Sequence, residues 1–388
     1  MNIVIITNRV YDLDGDKATV GGIQTYLINL CDVINKSFSV KPVIFQYGNG
    51  DFYIDKGEHF VQGVNIKKFS SEKHRIKVLV DKFKSVYSHK DTLIIWGSDQ
   101  YSVPLKNYRS INIQHGIAFD TEATDTLIKR MVVNSFMCPF YKFFQRFRAR
   151  KLVKNGNKVV CVDYNFKNWI RTYLTNEIEK ERFVVIPNFS EINRFEDNYD
   201  DDGKIRILIA RRFVKRRGIE LAVDVCDYLL NKYNNISVTF AGDGPEKDKI
   251  VELVNKYPHN VEITKYDSAD SLNFHKRFQI ALIPSIGSEG TSLSLLEAMS
   301  SGCICIATDI GGMTNIILDG HNGYISSPSY SQLINRCEYA IENYPKLEYL
   351  RENAINTIHN SFSFDLWGKR WSETIQTVVG ELGFKKDE

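Results

Sequence analysis

Short apolar runs alternate with amphipathic stretches along most of the chain. Runs bounded by turn residues read as strands buried on both faces, and apolar residues recurring at three and four positions read as helices packed against them. In the first half the expected strands are NIVIIT from Asn2, KPVIFQY from Lys41, TLIIWG from Thr92, SINIQH from Ser110, KVVCV from Lys158 and FVVIP from Phe183. In the second half they are RILIA from Arg206, SVTFAG from Ser237, VEIT from Val261, QIALIPS from Gln279, CICIAT from Cys303 and GYISS from Gly323. Helices are expected at Gln24–Ile34, Glu220–Lys232, Lys247–Lys256 and Ser292–Ser300. Alternation of this kind predicts an α/β chain with parallel sheets.

The pattern breaks once. Pro187–Asn188 ends a strand, and the acidic stretch Glu196–Asp202 follows with Tyr199 as its one apolar residue, before RILIA restarts the alternation. The break places a hinge between about 188 and 203 and two Rossmann-like domains on either side, residues 1–188 and 203–367. In such sheets ligands bind beyond the C-terminal strand ends, so a cleft between the domains is the expected site.

Composition narrows this picture. The chain has 388 residues, 43% hydrophobic and 25% charged, which is ordinary globular material and excludes disordered and fibrous chains. No apolar run approaches the ~20 residues of a membrane span. The opening MNIVIITNRV lacks a basic leader and reads as a buried strand, not a signal peptide. Seven scattered cysteines, with no CxxC and no Cys/His cluster, fit a reducing cytoplasm and argue against a disulfide framework or zinc site. The net charge of +3 is too small to imply nucleic acid. Its distribution says more: residues 1–200 carry a balance of +7, residues 201–388 a balance of −4, and Thr126–Val160 holds nine basic residues and no acidic one.

The strongest chemical signal is Ser288–Met299, SEGTSLSLLEAM, which leaves a strand and enters a helix. Glu289 and Glu297 stand eight positions apart; on a continuous helix that is ~12 Å of rise, suited to two contacts on an elongated ligand and not to joint action on one bond. The helix start near Gly290, Thr291, Ser292 and Leu293 offers free N–H groups and a positive dipole end for a phosphate. The plainer reading makes Ser294 and Glu297 a capping box and Glu289 a solvated loop acid. Ala210–Gly218, ARRFVKRRG, puts five basic residues after a strand, with Arg212 and Arg217 as the expected phosphate forks; a solvated loop is the alternative. Gly21–Gly22 precede a helix and can admit a ligand close to backbone. Gly242-Asp-Gly244-Pro245 lacks the third glycine of a dinucleotide fingerprint and reads more simply as a strand–helix turn, and Gly311–Gly312 follow another strand end. His115 sits at a strand end beside Gly116, either as a substrate contact or as a structural histidine.

With these residues in view the sequence resembles the retaining glycosyltransferases of family 4, of GT-B fold. Glu289-x7-Glu297 is similar to the family's paired-glutamate motif, IARRFVKRRG to its phosphate loop, AGDGP to its Gly-x-Gly-Pro turn and VVIPNFSEINRF to its Pro-Asn hinge strand. CICIATDIGGMTNIILDGHNGYI resembles the segment after the glutamates, Gly21–Gly22 the N-terminal glycine loop, His115 the strand-end histidine, and SFSFDLWGKRW a last helix, here about 368–388, that crosses back to the first domain. The resemblance implies two Rossmann-like domains facing across a cleft, with the first taking the acceptor and the second the nucleotide-sugar donor. It implies that Glu297 holds the ribose hydroxyls, Glu289 the donor sugar, and Arg212 and Arg217 the diphosphate, with His115 and Gly22 approaching from the acceptor side. Three positions depart from the pattern: Arg211 stands in place of the usual glycine, Arg217 in place of the usual lysine, and Thr291 in place of a common aromatic residue.

The expected activity is a retaining transfer of a hexosyl or N-acetylhexosaminyl group from a nucleotide diphosphate sugar, a UDP-sugar favoured, to a hydroxyl of a glycan or lipid-linked acceptor in bacterial surface polysaccharide synthesis. No metal or other cofactor is expected, since no acidic pair of DxD type stands at a strand end in the second half and cationic side chains can take its place. A GT-B nucleotide-sugar epimerase and a non-catalytic nucleotide-binding protein are the alternatives; a dinucleotide oxidoreductase is not, because NRVYDLDGDKATVGG does not fit its fingerprint. Residues 126–158 add a further expectation. Phe140, Phe143, Phe144 and Phe147 fall on one helical stripe flanked by Lys142, Arg146, Arg148, Arg150, Lys151 and Lys154. This is either a core-facing helix with a solvated basic face or an interfacial helix on an anionic membrane surface, which would make a cytoplasmic protein peripheral at the inner leaflet.

Overall fold

In the computed structural model the chain forms two compact units, one of residues 1–115, 144–186 and 367–388, the other of residues 116–143 and 187–366. The structure describes residues 1–19, 21–67, 71–116, 131–191, 203–267, 270–287 and 289–380. Most of the expected hinge, the start of the basic stretch at 126–130, Ser288 and the end of the expected last helix at 381–388 therefore lie outside the described residues.

The first unit is built on eight strands: β1 Asn2–Ile6, β2 Val43–Gly48, β3 Phe52–Asp55, β4 Phe60–Asn65, β5 Thr92–Trp96, β6 Arg109–Gln114, β7 Lys158–Cys161 and β8 Phe183–Val185. They lie in the order β3-β4-β2-β1-β5-β6-β7-β8. All neighbours are parallel, as expected, except β3 and β4, an antiparallel hairpin on the edge that the sequence pattern did not announce. Its first strand alternates half-buried with exposed residues, so it has no continuous apolar run to announce it. Val4, Ile6, Phe45, Ile94 and Trp96 pack with Leu79 and Phe83 of the helix Glu72–Val86. The helix Gly22–Phe38 buries Tyr26, Leu27, Leu30 and Ile34. The last helix, Phe364–Gly380, belongs to this unit from Trp367 onward. Trp367 and Trp371 are buried, Trp371 Nε1 donates to the Tyr26 hydroxyl at 2.8 Å, and Trp367 meets the Tyr26 ring edge-on.

The second unit has six parallel strands, β9 Ile205–Ala210, β10 Ile236–Ala241, β11 Val261–Thr264, β12 Ile280–Ile283, β13 Ile304–Thr308 and β14 Tyr324–Ser326, in the order β11-β10-β9-β12-β13-β14. Both faces are covered. Ile207, Ile209, Val238, Phe240, Leu282 and Ile306 pack with the helices Ile219–Lys232 and Tyr330–Glu342. Leu208, Ala281, Ile283 and Cys305 pack with the helix Leu293–Ser300.

The helix Cys138–Leu152 corrects the core-facing reading, for it buries no residue. Val153 is buried, Asn112 Nδ2 donates to the Leu152 carbonyl at 3.2 Å, and Asn155 Nδ2 donates to the Ser102 carbonyl at 3.1 Å, so the short turn after the helix makes the sheet contacts and the stripe is left outside.

Candidate functional site

Each sheet has a point where the strand order reverses, between β1 and β5 in the first unit and between β9 and β12 in the second. Loops leaving adjacent strands in opposite directions open a crevice there at the carboxyl ends. In the second unit those two loops carry the arginine cluster and Glu289.

Arg211 and Glu289 form a buried ion pair, their side chains 3% and 5% exposed. Arg217, from the short turn Lys215–Arg217, meets the other Glu289 oxygen. Both terminal nitrogens of Arg211 are engaged: Nη2 also donates to Ser285 Oγ at 2.7 Å, and Nη1 to Ser292 Oγ at 3.2 Å and Ser294 Oγ at 3.1 Å. Burial pushes the pKa of Arg211 down. Burial, then the like charges of Arg211, Arg216 and Arg212, pushes that of Arg217 down as well. Two guanidinium groups thus share one carboxylate, with the charges of Arg212 and Arg216 close to Arg217, and the excess positive charge calls for an anion.

Glycines let the loops meet at this closeness. A Cβ on Gly312 would lie 2.5 Å from the Gly290 carbonyl carbon, and Gly312 N–H donates to the Glu289 carbonyl at 3.1 Å. A Cβ on Gly242, with φ +153, would collide with the Arg211 carbonyl oxygen, so the turn that reads as a plain strand–helix connection seats the arginine loop. Asn188 Nδ2 donates to the Thr291 carbonyl at 2.6 Å, which ties the Pro-Asn segment to the same loop.

The helix Leu293–Ser300 starts after Ser292, and no side chain caps it. Ser294 is therefore inside the helix and is engaged by Arg211, which excludes the capping box; Glu289 lies in the loop before the helix, outside the expected helix Ser292–Ser300. Nor is Glu289 a solvated acid, since it is buried between two arginines. Glu297 is half-buried one helical turn further on. Tyr266 lies near it, and burial first and the Glu297 charge second raise the tyrosine's pKa. Tyr266 stacks on Phe274 with ring centroids 4.5 Å apart.

Of the residues expected from sequence, the structure brings together Arg217, Glu289, Gly290, Thr291, Ser292 and Leu293, with Glu297 on the same helix. Arg212 is exposed and enters only through its charge near Arg217. Its neighbour Arg211 takes the inside position that the sequence comparison assigned to a glycine. Adjacent residues at a strand end point to opposite sides, so one of the pair must turn inward and the other outward. Ser285 and Tyr266 carried no chemical signal beyond the strand-end position of Ser285; Ser294 entered only as a capping-box candidate and Asn188 only through the Pro-Asn hinge motif.

In the first unit the helix beginning at Gly22 follows the loop from β1, and His115 follows β6. His115 Nε2 donates to the Gly97 carbonyl at 2.8 Å, and its ring meets Tyr26 edge-on. A carbonyl only accepts, so the proton is on Nε2 and Nδ1 keeps its lone pair. Burial holds the pKa at about 4, and the ring is neutral at neutral pH.

The segment that carries this site has counterparts in known proteins. Residues 190–357 match the model for glycosyl transferases group 1. The chain is 29% identical over 230 residues to Protein CapJ of Staphylococcus aureus, covering 56% of this chain and 54% of that one, so it spans about half the length of that relative. Among solved structures it superposes on sucrose-phosphate synthase from Thermosynechococcus elongatus with a TM-score of 0.75 at 14% identity, over 98% of this chain and 99% of that one. It superposes on HepE of Anabaena, in complex with UDP, with a TM-score of 0.68 at 16% identity, over 97% and 100%. At these identities the likeness establishes the fold, which is GT-B. Among the described residues no helix is long and apolar enough to cross a membrane.

Proposed function

We propose that the chain is a retaining glycosyltransferase that moves a hexosyl or N-acetylhexosaminyl group from a nucleotide diphosphate sugar to an acceptor hydroxyl on a glycan or lipid-linked carrier, in surface polysaccharide synthesis on the cytoplasmic side. The observation that carries this reading is the surplus of arginine around Glu289, at the strand-order reversal of a segment matching group 1 glycosyl transferases. UDP in the structurally similar HepE supports a uridine nucleotide as the donor. In the first unit, the neutral His115 supports an approach of acceptor and sugar there, since it carries no charge of its own.

The acceptor oxygen bonds to the anomeric carbon while the bond from that carbon to the β-phosphate oxygen breaks. The acceptor proton passes to a donor phosphate oxygen on the same face, so configuration is retained and the nucleoside diphosphate leaves. Negative charge grows on the leaving oxygens. Arg212, Arg217 and the uncapped start of the helix at Leu293 stabilise it in place of a metal ion. Glu289, held by two arginines, presents what lone pairs remain to the sugar hydroxyls, and Glu297, near Tyr266, accepts from the ribose.

A thermal-shift panel of nucleotides and nucleotide sugars tests the reading. The right donor at ~100 times its dissociation constant adds ~2.7 kcal/mol of stability. Glu297→Ala should then weaken binding of the bare nucleotide by ~1.5–3 kcal/mol. Unchanged affinity for every nucleotide in a folded variant would overturn the ribose contact. Product analysis separates the alternatives: an epimerase changes the donor without an acceptor, and a binding protein turns nothing over. Activity abolished by EDTA and restored by manganese would remove the metal-free mechanism.

A further inference from the structure

We infer that the helix Cys138–Leu152 is a docking surface for an anionic lipid bilayer. Phe140, Phe143, Phe144 and Phe147 are 68%, 71%, 64% and 57% exposed, and Met131, Phe136 and Met137 extend the exposed apolar residues toward the N-terminus. A run of this kind is rare on a protein that stays in water and marks a surface with a partner. The four rings recur at helical spacing, so they form one strip along the axis.

Charge names the partner. Lys142, Arg146, Arg148, Arg150, Lys151 and Lys154 accompany the strip, and Met131–Lys154 contains no acidic residue. Arg146, Arg148, Lys151 and Lys154 are exposed. A second copy of the chain is a poor occupant, because a two-fold pair would set this cationic face against itself. An acidic protein groove would satisfy the cations or the rings, but a strip this long beside this many cations matches a planar interface with apolar depth below and negative charge above. The rings would enter the acyl boundary and the long cationic stems would spread to the headgroups. The helix is 15 residues long, too short to span, and lies in the surface plane. The chemistry requires only negative lipid charge and no particular headgroup, and it is independent of the transfer reaction.

Co-sedimentation of the full chain with vesicles of phosphatidylcholine alone and of equal parts phosphatidylcholine and phosphatidylglycerol tests it. Binding is expected only to the anionic vesicles and should be lost as salt rises toward molar concentration. Each cation removed should weaken binding about fivefold, about 1 kcal/mol, so Arg146→Gln, Arg148→Gln and Lys151→Gln together should cost about a hundredfold. Phe140→Ser with Phe144→Ser should cost at least roughly tenfold at any salt concentration, which a purely electrostatic contact would not show. Unchanged melting temperatures would establish that the variants fold, since none of these side chains is buried. The inference is overturned by equal or absent binding to the two vesicle types. It is equally overturned by a dimer in sedimentation velocity that both variant sets dissolve, or by single-stranded RNA bound where vesicles are not.

Discussion

Two regions of this protein reverse the usual placement of residues. Around Glu289 charges are inside; along Cys138–Leu152 phenylalanines are outside. The first costs desolvation, and the cost is met because both terminal nitrogens of the Arg211 fork have partners. The second costs little to the fold, since the rings have left no cavity, but it leaves apolar surface in water. Both are therefore poor devices for stability and good ones for meeting something else: an anion in one case, an apolar and negatively charged surface in the other.

Breaking the inner region should have the largest effect. Glu289→Gln leaves the buried Arg211 and the half-buried Arg217 without a counter-charge and should destabilise the chain by about 3–5 kcal/mol in urea denaturation. A loss below about 1 kcal/mol would mean that the arginines already reach water. Added diphosphate should restore part of the loss in the variant.

Arg212→Ala sharpens the contrast within that region. Turnover should fall by about 10²–10³, while unfolding stability should stay within about 0.5 kcal/mol because the side chain is exposed. Arg217→Ala should lower both. If Arg212→Ala keeps full activity, only the buried pair handles the phosphates.

A smaller effect separates His115 from both regions. In the unfolded chain it takes up a proton at its ordinary 6.5, in the folded chain only at about 4. Between those values the unfolded state binds more protons, so stability falls as pH falls, by up to ~1.4 kcal/mol per pH unit. Asp99, raised to about 6 by burial, acts with the opposite sign, so the measurement is the difference between wild type and His115→Gln across this window. Parallel curves would show that His115 is already solvated.

The smallest effect belongs to the outer region. Phe144→Ser should change stability in water by no more than about 0.5 kcal/mol. Phe45→Ala, from the core, should cost about 3–5 kcal/mol. A large loss from Phe144→Ser would mean that the ring is covered in solution.

The strands and their alternation with helices were legible in the sequence, because parallel strands buried on both faces must be continuously apolar and this is a local signal. The paired glutamates and the arginine run were legible for the same reason: each lies in one short stretch at a strand end. The edge hairpin Phe52–Asp55 and Phe60–Asn65 was not, since an edge strand wets one face. Pairings between distant segments were also silent: Arg211 with Glu289, Tyr266 with Glu297 and Asn188 with the Thr291 carbonyl span 78, 31 and 103 positions.

By itself, then, the sequence determined the strands buried on both faces, the placing of charge along the chain and the chemical types available at each strand end. Only the tertiary structure decided which of two adjacent arginines turns inward, that the loop after β13 braces the Glu289 loop through Gly312, and that an apolar stripe fit for a core stays outside. These outcomes depend on which surfaces meet. A helical stripe specifies that a face will be apolar and leaves open what covers it, and a strand end specifies an alternation of directions without saying which residue begins it.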